Sequence, residues 1–131
     1  MESRILCAVL AAIFLLTSVG AAAAVQTRQD ELLADAKDVM SLLEKGRFKE
    51  VTAKFDAQMT QLLTPDKLEQ TWKQLLSQAG AFKGISDATM SKVQGTDVAF
   101  MTCEFEKVKL TGIVAYDGEK KISGLRFTPK Q

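Results

Sequence analysis

The chain has 131 residues, 17 basic and 16 acidic side chains, two cysteines and no histidine. So even a balance offers no basic face for phosphates, which argues against a nucleic-acid partner. The absence of histidine removes the commonest general base and the commonest zinc ligand together, and with them most hydrolase and metalloenzyme designs.

The first element is an apolar run from Ile5 to Val19, followed by Gly20 and the string Ala21 to Ala24. Arg4 and the amino terminus supply a positive start, and Ala22-x-Ala24 fits a signal-peptidase site before Val25, so residues 1–24 read as a cleaved signal peptide. The expected destination is periplasmic or extracellular. The stretch from Ile5 to Val25 would also be long enough to cross a bilayer uncleaved. Gly20 and the alanines make a poor end for such a span, and no Lys or Arg cluster flanks it. Cys7 lies at the start of the run, where a lipoprotein acceptor would have to follow it. After cleavage no stable membrane span is expected. Residues 25–131 make one domain, large enough to hold a core without a metal or disulfide, and Cys103 is its sole cysteine.

Leu32, Leu33, Ala36, Val39, Met40 and Leu43 recur at helical spacing between Asp30 and Lys45, and Gly46 is placed for a left-handed cap. Phe48, Val51 and Phe55 predict a second, shorter helix, with Met59 and Leu62 continuing its stripe. Thr64-Pro65-Asp66 combines a capping hydroxyl, a proline suited to the first turn and an acid at the positive helix end. A third helix follows to about Ala79, with Leu68, Trp72, Leu75 and Leu76 as its stripe and Gly80 as its stop.

From Ile85 the period becomes two, predicting strands over Ile85 to Val93, Val98 to about Glu106, Val108 to Tyr116 and Ile122 to Phe127. Gln94-Gly95-Thr96-Asp97 reads as a turn. Lys107 marks a tight hairpin or bulge, and Asp117-Gly118 is the clearest hairpin dipeptide. Helices followed by strands predict an α+β fold, three helices packed on a four-stranded antiparallel meander. In the second strand Val98 and Phe100 alternate with Ala99, Met101, Cys103 and Phe105, so the strand is apolar on both sides at one end. A helix-covered antiparallel sheet usually shows a polar second face, so a ligand, a second copy of the chain or a partner is expected to cover this one.

The run Gly46-x-Phe48-x-x-Val51-x-x-x-Phe55-Asp56-x-x-Met59 is followed by Leu68-x-x-x-Trp72-x-x-Leu75, Gly80-x-Phe82-x-x-Ile85 and Asp117-Gly118-x-x-x-Ile122-x-Gly124-Leu125-x-Phe127. Together these resemble domain-of-unknown-function family 3887 over nearly all of residues 25–131. The resemblance implies a small NTF2-like or cystatin-like α+β domain, found alone in exported bacterial proteins or ahead of an α/β-hydrolase. It brings no catalytic residues, and this chain has no G-x-S-x-G elbow.

Two function classes remain open, beside a third reading, a purely structural envelope-associated domain that differs from the first of them only in having no cavity. One is a non-enzymatic exported module that binds a small apolar ligand or a protein partner, or forms a homodimer through its sheet. Its cavity is expected between helices and sheet, walled by Phe55, Trp72, Phe82, Phe100 and Met101. The other is a cavity enzyme of the isomerase or lyase kind, with Asp87 or Glu104 acting beside Tyr116. Glu104 and Glu106 share a strand face that is expected to be solvated, and Cys103 is expected to be a buried, inert thiol. The GxGxxG, P-loop and metal-ligand patterns are absent, so no cofactor or metal is expected.

Overall fold

The computed structural model describes residues 2–130, with side chains from Ala23 onward. The signal-peptide expectation rests on side chains before Ala23 and so lies outside the described ones. No helix among the described residues is long and apolar enough to cross a membrane. Contacts divide the chain into two units, Met1–Glu31 and Leu32–Gln131. Within the first, the Thr27 hydroxyl donates to the Ala23 carbonyl at 2.8 Å, and the Gln26 amide donates to Asp30 at 3.1 Å.

Leu32–Gln131 begins inside helix α1 (Glu2–Glu44) and continues through α2 (Phe48–Thr52), α3 (Ala57–Leu62) and α4 (Pro65–Ala79). The strands β1 (Phe82–Val93), β2 (Thr96–Phe105), β3 (Lys109–Tyr116) and β4 (Ile122–Pro129) follow as an antiparallel meander in chain order. This is the expected α+β fold, with one helix more than expected.

On α1, Leu32, Ala36, Val39, Met40 and Leu43 are buried, as their spacing requires. The helix ends at Gly46, whose φ is +75°. Arg47 N–H donates to the Leu42 carbonyl at 2.9 Å and Gly46 N–H to that of Leu43 at 3.1 Å, the paired bonds of a Schellman cap.

The second expected helix is divided. Phe55 forms a parallel bridge with Ile122; Asp56 N–H donates to the Ile122 carbonyl at 2.9 Å, and Ile122 N–H donates to the Lys54 carbonyl at 2.8 Å. Those bonds draw residues 54–56 out of helical geometry and onto the sheet. A new helix then starts at Asp56, whose carboxylate accepts from Met59 N–H at 2.8 Å. Helix α4 has the start read from its sequence, Thr64 capping and Pro65 in the first turn.

β1 begins three residues before the alternation in the sequence becomes regular. Irregularities between Phe82 and Gly84 and between Ile85 and Asp87 break the period there, yet Phe82 still pairs with Phe105. Gln94 and Gly95 both have positive φ, as a two-residue hairpin turn requires. The turn after β3 differs from a simple Asp-Gly hairpin: Asp117 Oδ1 accepts from both Glu119 and Lys121 N–H at 2.9 Å, and Lys120 takes the positive φ.

The core lies between the helices and one sheet face. Trp72 of α4 sits 6.0–6.2 Å, centroid to centroid, from Phe82, Phe105 and Phe127. Ala99, Met101, Cys103, Leu110 and Val114 fill the same face of the sheet.

Candidate functional site

The strand register defines the opposite, outer face of the sheet row by row. Ser91, Val98, Ala115 and Gly124 form one row; Thr89, Phe100, Ile113 and Arg126 form the next. Beyond them come Asp87, Thr102, Thr111 and Thr128, and then Glu104 beside Lys109. One end of this face is therefore apolar and the other is hydroxylic and charged.

The apolar end is concave. Val98, Phe100, Ile113 and Ala115 with Gly124 line a cavity of about 450 Å³, closed at its sides by Met59, Val93 and Leu125. That volume is in the range of small-molecule sites. Small side chains at Ala115 and Gly124 leave the hollow, while Phe100 and Ile113 stand beside it. Val98 is only 6 % exposed, yet it belongs to no part of the core between helices and sheet. Arg126 is the single charged residue of the lining. Its side chain makes no ion pair or hydrogen bond among the described residues.

A second arrangement lies on the inner face. The Tyr116 hydroxyl, in a residue only 2 % exposed, donates to Asp35 Oδ2 at 2.8 Å, and the Lys54 ammonium donates to Asp35 Oδ1 at 2.6 Å. Asp38 lies 3.5 Å from the same ammonium. Burial pushes the Tyr116 hydroxyl well above its ordinary value, and the bond to Asp35 and its charge push it further. Burial acts to lower the Lys54 ammonium, but the Asp35 hydrogen bond and the two carboxylate charges outweigh it and the net shift is upward. A phenol held protonated and a lysine held charged make a fixed brace from α1 to the sheet, poorly suited to passing protons.

Residues 36–125 match the family model described as protein of unknown function, DUF3887. The chain belongs to this family. No curated protein and no solved structure matches it significantly.

In this DUF3887 domain the five residues expected to wall one cavity are separated. Phe55, Trp72 and Met101 are buried in the core, and Phe82 packs on Trp72 and Phe105 within the same aromatic group. Phe100 alone reaches the hollow, which lies on the other side of the sheet from the expected one. The Trp72 cluster fills the middle of the space between helices and sheet, and an open apolar depression of about 360 Å³ remains between α4 and β4, lined by Leu68, Leu75, Leu125, Arg126 and Phe127.

The carboxylates considered for catalysis are also apart from Tyr116. Asp87 is exposed at the far end of the outer face. Glu104 pairs with Lys109 at 3.3 Å, and Glu106 accepts from Ala81 N–H at 3.5 Å. Tyr116 has Asp35 as its partner instead and does not line the outer-face hollow.

Cys103 is buried, and burial pushes its thiol up to about 11, with the Gly112 backbone bond acting against the shift. A methyl on Gly112 would stand 3.2 Å from that sulfur and 3.4 Å from the Phe127 ring, so the thiol is packed on all sides. Among the described residues no group of three His, Cys, Asp or Glu is placed to hold a metal ion.

A larger depression, about 550 Å³, lies between α2 and the start of α4, but its walls are the mixed charges Arg47, Lys49, Glu50, Asp66 and Glu69 on an exposed surface. Arg47 and Glu50 already pair there at 3.6 Å.

Sequence reasoning missed Asp35, Lys54 and Arg126. For Arg126 a signal was present, since it follows Gly124 at period two on a strand whose neighbours carry Ile113 and Phe100.

Proposed function

We propose that this protein is an exported, non-enzymatic binding module whose sheet holds a small apolar ligand on its outer face. The observation that carries the reading is the cavity of about 450 Å³ on the outer face of the sheet, with Val98 and Phe100 in its wall and Met59 of α3 at its side. Apolar side chains that a solvated strand face would replace with polar ones are gathered there into one concave patch. The sequence of residues 1–24 supports export.

The test is a methyl NMR titration of the full chain with 1-decanol, an uncharged apolar probe. Shifts confined to Val93, Val98, Ile113 and Leu125, and lost in Ala115→Leu, which fills the hollow, are the expected result. No shift at those methyls up to the solubility of the alcohol overturns the reading. Export is checked by the amino-terminal sequence of the secreted protein, expected to begin at Val25; an intact Met1 in that fraction overturns cleavage.

A further inference from the structure

We infer that the ligand of the outer-face cavity is a single-chain amphiphile with a carboxylate head, the tail lying across the sheet and the head at Arg126. This rests on the binding reading above and names the class of molecule bound.

Three observations lead to it. The hollow has one charged residue in its lining, and that residue is a guanidinium at its rim on the edge strand β4. Arg126 has no carboxylate or other side-chain partner among the described residues, a state it shares with surface lysines such as Lys45 and Lys83, but it alone of these lines the apolar hollow. The row that contains Arg126 runs inward through Ile113 to Phe100, so apolar surface starts at the cation and extends away from it in one direction.

A neutral hydrocarbon would use the apolar row and leave the guanidinium unused. A peptide strand would bring several polar backbone groups onto a surface that offers one polar side chain. A molecule with one anionic end and one long apolar end uses both features. A planar fork of donors also suits a carboxylate, which it can meet with two parallel hydrogen bonds. From Arg126 on β4 to Phe100 on β2 the row spans two strand spacings, roughly 10 Å, which gives a tail of about that length room to lie flat across it.

The experiment compares decanoate with 1-decanol on the full chain, read at the methyls of Val98 and Ile113 so that binding elsewhere on the chain is not counted. Decanoate is expected to bind at least ten-fold more tightly. Arg126→Gln is expected to bring decanoate down to the affinity that the same variant shows for the alcohol, and Arg126→Lys to retain part of the preference. Equal affinity for the two probes, or a preference that survives Arg126→Gln, overturns this inference and leaves the binding reading standing. Failure of both probes to shift those methyls overturns the binding reading itself, and this inference with it.

Discussion

The two faces of the sheet are built from the same strands and often from adjacent residues, yet they do different things. On the inner face Ala99, Met101 and Cys103 are sealed under the helices, and Trp72 closes the layer against three phenylalanines. On the outer face Val98, Phe100 and Ile113 are equally apolar in kind but open into a hollow. Apolar surface buried against the same chain stabilises the fold with no partner present, whereas surface open to water contributes only when something binds there. The inner face therefore supports stability, and the outer face is the one to which the proposed ligand is assigned.

The difference is sharpest for aromatic truncation. Trp72→Ala is expected to cost about 3–5 kcal/mol, since a buried indole is removed from the centre of the cluster. Urea denaturation followed by far-ultraviolet circular dichroism measures it. A loss below about 1 kcal/mol would mean that the inner face is not the core.

Alkaline pH tests the same face through its ionisable groups. The Cys103, Tyr116 and Lys54 values are all raised in the folded state, from 9.0, 10.0 and 10.5 respectively. A raised value means that the folded state holds its proton more tightly than the unfolded one. The stabilisation is therefore complete below about pH 9 and is lost as pH rises through the folded values. The Cys103 part alone is on the order of 3 kcal/mol, lost between pH 9 and 11. Urea midpoints from pH 7 to 11 should be flat and then fall, and Cys103→Ala should make the fall shallower. A fall that is just as steep in the variant would contradict the assignment.

The brace between α1 and the sheet is smaller in effect. Asp35 and Lys54 keep about a quarter of their side-chain surface in water, so solvent screens the pair. A double-mutant cycle of Asp35→Ala with Tyr116→Phe is expected to give a coupling of about 1 kcal/mol. Independence of the two substitutions would show that the hydrogen bond contributes nothing net.

The least costly change on the stability scale is the most informative about function. Phe100→Ser on the outer face is expected to alter stability by about 1 kcal/mol or less, while weakening 1-decanol binding at least ten-fold. If it cost as much stability as Trp72→Ala, the contrast between the faces would disappear.

Much of the fold was legible because its signals are local. The Thr64-Pro65-Asp66 start, the Gly46 cap and the change to period two each follow from a few neighbouring residues and reappear in the structure. The break between α2 and α3 was not legible, because Phe55 keeps helical spacing and its bridge is to Ile122, far along the chain. The cavity shows the same limit. Period two assigned Phe100 and Met101 to opposite faces correctly, but an apolar residue carries no mark of which face the helices will cover. Trp72 and Phe82 were read as cavity walls, and in the structure their rings pack on each other within the core.

The Asp35 to Tyr116 hydrogen bond joins residues 81 positions apart, whereas the meander beside it is assembled from short hairpins. Closing short loops is fast, and contacts between distant residues are the ones that delay folding. Refolding is therefore expected to form the hairpins early and to dock α1 late, with the tyrosine and lysine drying onto Asp35 in the last step. Substitution of Asp35 would then accelerate unfolding and leave the folding rate almost unchanged.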